Sequence, residues 1–291
     1  LHHFNDGQGA PIFVLPPHAG RHGCVTQRLI DKCVGQGRTV YAFELLPATL
    51  ETANTSISDL LSAIAECHNH IGEIIDLVAV CQGGWLGAIY AAKHPEGINK
   101  IAAFASPFNC KTGEDNCIED YAKIPGVLDY QKRVVAMHGG IQPGYMQWAA
   151  FSMVKPQFIY WDRWVDLFTM SWAGDKKGVE KWERNNAWYA SHQSLAGNWF
   201  LDALEHHFIN NDLYEGRWVV DGEAVDLSRI KCPVWLYAGD ADDITHYRQM
   251  FDLERQVGGP AFKILFEGAG HTKVFVGGKE LEAFKDTFLT P

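Results

Sequence analysis

Cys81 stands in the run Ala79-Val80-Cys81-Gln82-Gly83, between the apolar stretch Ile75-Asp76-Leu77-Val78-Ala79-Val80 and a second apolar stretch that opens at Trp85. A small residue two places on either side of a nucleophile allows a sharp turn from strand to helix. Such a turn lifts the side chain above the sheet edge and aims the N-terminus of the next helix at it. That helix end favours a thiolate and any oxyanion that forms beside it. A buried structural cysteine would also suit such a turn, so two further turns carry the argument. Gly239-Asp240-Ala241-Asp242-Asp243 follows the apolar run 233–238, and Gly270-His271 follows the run 262–266. Thiol, carboxylate and imidazole in this set point to acyl transfer through a covalent thioester. Asp242, third after Gly239, suits a side chain turned under His271, while Asp240 and Asp243 read as turn-capping or solvated groups.

An oxyanion needs two backbone donors. One is the amide of Gln82, directly after the thiol. The other falls in Pro16-Pro17-His18-Ala19-Gly20, at His18 or Ala19, because the two prolines have no N–H to give. The thirteen histidines include the clusters His2-His3, His68/His70 and His206-His207. None has the spacing of a metal motif, and no metal is expected.

The elements that must hold these residues alternate. Residues 11–15 read as a buried strand, 27–34 as a helix and 38–45 as a strand. Residues 56–71 carry apolar positions at helical spacing behind a Ser56 cap. Strand 75–80, helix 85–93 and strand 100–105 follow, then late strands 233–238 and 262–266 with helices 247–257 and 279–289. This alternation is that of a mostly parallel sheet with right-handed crossovers and helices on both faces. Between 108 and 226 the strands give way to helical stretches, and eight of the ten tryptophans lie there. The expected division is a core of 1–107 and 227–291 with a helical cap inserted at 108–226. Its aromatics would form the cap's own core, an apolar channel, or both. The chain order nucleophile, acid, histidine is that of the α/β-hydrolase fold.

Composition narrows the function. With 47% hydrophobic and 21% charged residues, the 291-residue chain is neither disordered nor fibrous. A formal net charge of −10 argues against binding a nucleic-acid backbone. No apolar run reaches the roughly 18 residues of a membrane span. Seven cysteines without a CxxC pair suit a reducing cytosol better than a disulfide framework. No signal peptide is visible, although a start at Leu1 leaves room for a missing leader and for missing first strands.

At Pro16-Pro17-His18-Ala19-Gly20, Val80-Cys81-Gln82-Gly83-Gly84, Asp242-Asp243-Ile244, Gly270-His271 and Val219 to Leu227, the sequence resembles one family. This is the polyhydroxyalkanoate synthases and intracellular polyhydroxyalkanoate (polyhydroxybutyrate) depolymerases, α/β-hydrolases with a cysteine nucleophile. The resemblance implies Cys81 as nucleophile, Asp242 as acid and His271 as base. Val80-Cys81-Gln82 looks like the depolymerases, whereas Gly83-Gly84 looks like the synthases. The Trp-Arg-Asn-Pro of the synthases is replaced by Glu44-Leu45-Leu46-Pro47. The function it implies first is a polyester depolymerase. A synthase-like acyltransferase is the alternative, and a non-catalytic scaffold that coats granules is a third reading. No resident cofactor is expected, with coenzyme A as a candidate acyl acceptor or product carrier. The implied partners are a polyester or hydroxyacyl substrate and a storage-granule surface in the cytoplasm. The oligomeric state stays open, a dimer included.

Overall fold

Alternate residues of each central strand enter opposite apolar layers. Phe13 and Leu15 pack with Leu77, Ala79, Ile101, Ala103 and Leu236 on one face of the sheet. Ile12 and Val14 pack with Val78, Val80, Ala102, Phe104 and Tyr237 on the other. A strand covered on both sides shows no alternation of polarity, which is why these segments read as continuous apolar runs. The computed structural model describes residues 1–18, 26–113, 117–154, 156–190 and 192–290, without the side chains of 118, 151, 154, 184, 185 and 188–190.

The main sheet has seven strands, β1 (His2–Asn5), β2 (Ile12–Leu15), β3 (Val40–Ala42), β4 (Ile75–Val80), β5 (Ile98–Phe104), β6 (Val234–Gly239) and β7 (Ala261–Phe266). Their order across the sheet is β1-β3-β2-β4-β5-β6-β7. β1 runs antiparallel to β3 and every other pair is parallel. The sequence reading places the first strand at residue 11. The structure adds β1, whose His-His-Phe-Asn is half exposed and carries no apolar run to betray it.

Helix α1 (Gln27–Gly35) covers the Ile12/Val14 face, whereas α2 (Ile57–Ile71) and α3 (Gln82–Lys93) cover the other. α2 begins where the sequence places its cap. Ser56 Oγ accepts from the Asp59 amide at 3.2 Å, and the Asp59 carboxylate accepts from the Ser56 amide at 2.8 Å. α3 starts three residues before the expected 85, because Gln82, Gly83 and Gly84 are already helical.

Between β5 and β6 come α4 (Cys117–Lys123), α5 (Val127–Met137), α6 (Gly144–Val154), α7 (Arg163–Trp172), α8 (Lys176–Ala190) and α9 (Gly197–Asp202). Two short strands pair there, Ile141–Gln142 with Leu195–Ala196. The tryptophans of this stretch divide three ways. Trp199 and Trp218 are buried, Trp148 and Trp164 line a recess, and Trp161 and Trp172 are 64% and 84% exposed. The last two are not part of the core. After β6 stands α10 (Tyr247–Phe251), which tightens at Asp252–Arg255 instead of running on to 257. After β7, α11 (Lys273–Val276) and α12 (Gly278–Phe284) close over the Ile12/Val14 face.

Candidate active site

The last ladder bond at the end of β4 runs from the Cys81 amide to Phe104 O, 2.8 Å. The chain then turns at Cys81 with φ 53° and ψ −121°, and α3 begins at the next residue. A side chain at positive φ is strained, and the packing around it must hold it there. Gly83 shows how. A Cβ at this position would lie 2.5 Å from Leu15 O and 2.7 Å from Pro16 O, so the turn sits directly on the end of β2. At Gly84 a Cβ would collide with the Ser106 hydroxyl. The small residues beside the cysteine are therefore the condition for the turn. Cys81 itself is 8% exposed, at the N-terminal end of a twelve-residue helix whose dipole would favour an oxyanion formed there.

His271 lies in the loop after β7 and Asp242 in the loop after β6, both at the carboxyl ends of their strands, the same edge of the parallel sheet on which β4 ends. His271 Nδ1 donates to Asp242 Oδ2 at 2.8 Å. The other oxygen, Oδ1, accepts from the amides of Ile244 and Thr245, each at 2.9 Å. The carboxylate, 1% exposed, is thus fixed by three donors. Its neighbours do other work: Asp240 Oδ1 accepts from the Gly268 amide at 2.7 Å, and Asp243 O accepts from the Cys117 amide at 3.1 Å. Cys81 is the second group whose charge acts on this imidazole. Burial alone would lower the pKa of His271. The facing charges of Asp242 and Cys81 outweigh it and hold the imidazole well above the ordinary 6.5.

Gln82, as the first residue of α3, has an amide that no helical carbonyl takes. His18 is 2% exposed, with its ring 4.7 Å from Trp199 and 6.4 Å from Trp85. Burial lowers its pKa to about 3, so the ring is neutral, and its Nδ1 has no hydrogen-bond partner. Ala19 lies outside the described residues.

Cys117, at the start of α4, is a neighbour that the sequence does not announce. Burial first, then the charges of Asp243, Asp242 and Cys81, pushes its thiol up to about 12. No motif surrounds it, and only the tertiary fold brings α4 beside the loop after β6. Two of the histidine clusters resolve into pairwise bonds: His206 Nδ1 with Asp212 Oδ2 at 2.9 Å, and His68 Nδ1 with the Tyr90 hydroxyl at 2.6 Å. Among the described residues no group of three His, Cys, Asp or Glu could hold a metal ion. Nor is any described helix long and apolar enough to cross a membrane.

Several known proteins resemble this chain. The poly(3-hydroxyalkanoate) polymerase subunit PhaC of Allochromatium vinosum is 25% identical over 256 residues, covering 86% of this chain and 70% of that one. The PhaC subunit of Thiocystis violacea is 23% identical over 213 residues, 73% of this chain and 58% of that one. That of Haloferax mediterranei is 24% identical over 233 residues, 76% and 44%. The chain thus spans about half the length of the latter two. Among solved structures, the monoacylglycerol lipase of Paleococcus ferrophilus superposes with a TM-score of 0.64 at 16% identity, over 98% of this chain and 95% of that one. The mouse alpha/beta hydrolase domain-containing protein 10 gives 0.57 at 14%, over 97% and 89%. The chain therefore has the α/β-hydrolase fold. The model of the family described as "Protein of unknown function (DUF3141)" matches residues 3–258, and with most of its length inside that match the chain belongs to this family.

Proposed function

We propose that the chain cleaves polyhydroxyalkanoate esters through an acyl-enzyme on Cys81, with His271 as base and acid and Asp242 as the group that orients and charges the imidazole. The protein is an enzyme, a hydrolase or an acyltransferase. The observation that carries the finer reading is an imidazole bonded to a carboxylate that three donors hold, under the electrostatic influence of a cysteine on a strained turn at a helix N-terminus. His271 takes the Cys81 proton, and sulfur attacks the ester carbonyl. The oxyanion is stabilised by the Gln82 amide and a second donor from the His18-Ala19 loop. His271 then returns the proton to the leaving 3-hydroxyl oxygen, and the acyl group remains on sulfur as a thioester. Every step uses groups of the chain and the substrate, and coenzyme A enters only as an acyl acceptor or product carrier. The work would be done at a storage granule in the cytoplasm.

The acceptor decides between two directions. Water or coenzyme A releases a hydroxy acid or its thioester, whereas a chain-end hydroxyl lengthens the polyester. Val80-Cys81-Gln82 favours release, and the names of the polymerase relatives favour growth. The test is incubation with amorphous short-chain polyester, with and without coenzyme A, and separately with a hydroxyacyl thioester of coenzyme A. Soluble hydroxy acid or hydroxyacyl thioester from the polyester is expected. New polymer with free coenzyme A would replace depolymerisation by synthesis. No turnover of any of them, by a protein whose Cys81 stays reduced, would sink the acyl-enzyme reading.

A further inference from the structure

Four buried side chains carry polar atoms that have no hydrogen-bond partner: Gln142 Oε1, both amide atoms of Gln193, Trp199 Nε1 and His18 Nδ1. Each of these residues is 5% exposed or less. A buried polar atom left unpaired is rare in a folded protein, because nothing replaces its lost hydration. The four residues are also neighbours. Gln142 stands opposite Leu195 in the short antiparallel pair, and Gln193 is two places before Leu195. Gln193 is held by its backbone: its carbonyl accepts from the Gln147 side-chain amide at 2.9 Å, and a Cβ on Gly144 would lie 2.9 Å from its carbonyl carbon. α9, which carries Trp199, is anchored on the same pair, since the Gly197 amide donates to Gly140 O at 2.8 Å. The Trp199 ring lies 4.7 Å from that of His18. The run therefore ends at the loop after β2, whose Pro16 carbonyl abuts the Cys81 turn at Gly83.

The unpaired atoms of the helical stretch are of both kinds and uncharged. Gln193 Nε2 and Trp199 Nε1 can only donate, whereas Gln142 Oε1 and Gln193 Oε1 can only accept. An ester group has acceptors alone, so the interior of a polyester would leave both amide oxygens unpaired. A hydroxyl donates and accepts at once. A linear hydroxyacyl polyester carries a free hydroxyl at one of its ends, on the terminal acyl unit. Resting on the Cys81 acyl-enzyme reading, we propose that Gln142, Gln193 and Trp199 form a subsite for the free hydroxyl of the acyl unit under attack, so that the enzyme works from the hydroxyl end of the chain. Sulfur bonds to the carbonyl carbon of the terminal unit, and the bond from that carbon to the next unit's 3-oxygen breaks. The departing oxygen takes the proton from His271 and becomes the new hydroxyl end. Water or coenzyme A then takes the acyl group from sulfur, and its proton restores the thiol.

The experiment compares the 4-nitrophenyl esters of 3-hydroxybutyrate, 3-acetoxybutyrate and butyrate. They share a leaving group and differ at one carbon, which bears a free hydroxyl, the ester of a chain interior, or hydrogen. The full chain should prefer the hydroxy ester in kcat/KM by about tenfold or more. Gln193→Leu and Gln142→Leu should each shrink that preference by about fivefold or more. Both replace unpaired buried polar atoms by apolar ones, so neither should lower the thermal midpoint. Equal kcat/KM for the three esters would overturn the subsite and leave the acyl-enzyme standing, with ordered water alone satisfying the buried atoms. A preference unchanged in both variants would overturn it too. Turnover of none of them would count against the acyl-enzyme. Titration of Cys81→Ala with methyl 3-hydroxybutyrate and methyl 3-acetoxybutyrate then decides the subsite by itself. Tighter binding of the hydroxy ester, by about tenfold, supports it, and equal or undetectable binding of the two refutes it.

Discussion

At the scale of single residues, the proposed chemistry rests on Cys81 and the charge that His271 carries. Cys81→Ala should abolish acyl transfer while changing stability by no more than about 1 kcal/mol, since the thiol fills little core volume. Cys81→Ser should retain a small residue of activity, because a hydroxyl needs the full help of the base. Wild-type turnover by a folded Cys81→Ala variant would remove the nucleophile from the scheme. The charge is tested through Asp242. His271 is raised above the 6.5 of the unfolded chain, so its contribution to stability is fully present below that pH and is lost as pH rises through the folded value. Asp242→Asn removes a main upward influence and leaves burial in place. The His271 midpoint, followed by NMR, should then move down by about one unit or more, and turnover should fall roughly a thousandfold or further. An unmoved midpoint would mean that Asp242 does not set the charge. In the sequence, Cys81, Asp242 and His271 were legible because each sits on a turn directly after an apolar run. Cys117 and the orphaned ring of His18 were not, because their surroundings are assembled from distant segments.

Elements are where the turn is won or lost. Gly83→Ala should destabilise the protein by about 2 kcal/mol or more, since the new methyl would meet Leu15 and Pro16 carbonyls that belong to the end of β2 and cannot step aside. Gly87→Ala, one turn later in α3, meets the Leu15 and Leu77 methyls at 3.2 and 3.3 Å and the Ala79 Cβ at 3.5 Å and gains helix propensity, so its cost should be smaller. Chemical denaturation of the two variants checks the order, and equal costs would contradict the account of the elbow. The same contrast explains what could be read of the fold. Central strands covered on both faces announce themselves as apolar runs, and α2 announces itself by its capping box. β1 has neither signal, because an edge strand of mixed residues draws its order from β3 rather than from its own composition. The exposure of Trp161 and Trp172 was not legible for a related reason: aromatic content records how much apolar surface a segment carries, not which side of it faces solvent.

For the whole molecule, the sheet separates chemistry from anchorage. Cys81, Asp242 and His271 stand at the carboxyl ends of β4, β6 and β7, where open α/β sheets place ligands. At the opposite end, Asp76 near the start of β4 is 1% exposed and joins three segments. Arg38 Nη2 donates to its Oδ2 at 2.6 Å, Asn99 Nδ2 to its Oδ1 at 2.6 Å, and Lys100 Nζ lies 3.7 Å away. Arg38 also donates to Ala10 O at 2.6 Å, so the cluster ties the entries to β2, β3, β4 and β5 together. Removing the one carboxylate leaves two cations facing each other at low exposure. Asp76→Ala should therefore cost about 3 kcal/mol, while Asp76→Asn, which keeps an acceptor for Asn99, should cost less. Neither should change turnover per folded molecule, because the length of β4 separates Asp76 from Cys81. Denaturation midpoints paired with active-site titration of Cys81 make the measurement. If Asp76→Ala lost turnover in proportion to nothing seen in the folded fraction, the two ends of the sheet would be coupled and the separation argued here would be wrong.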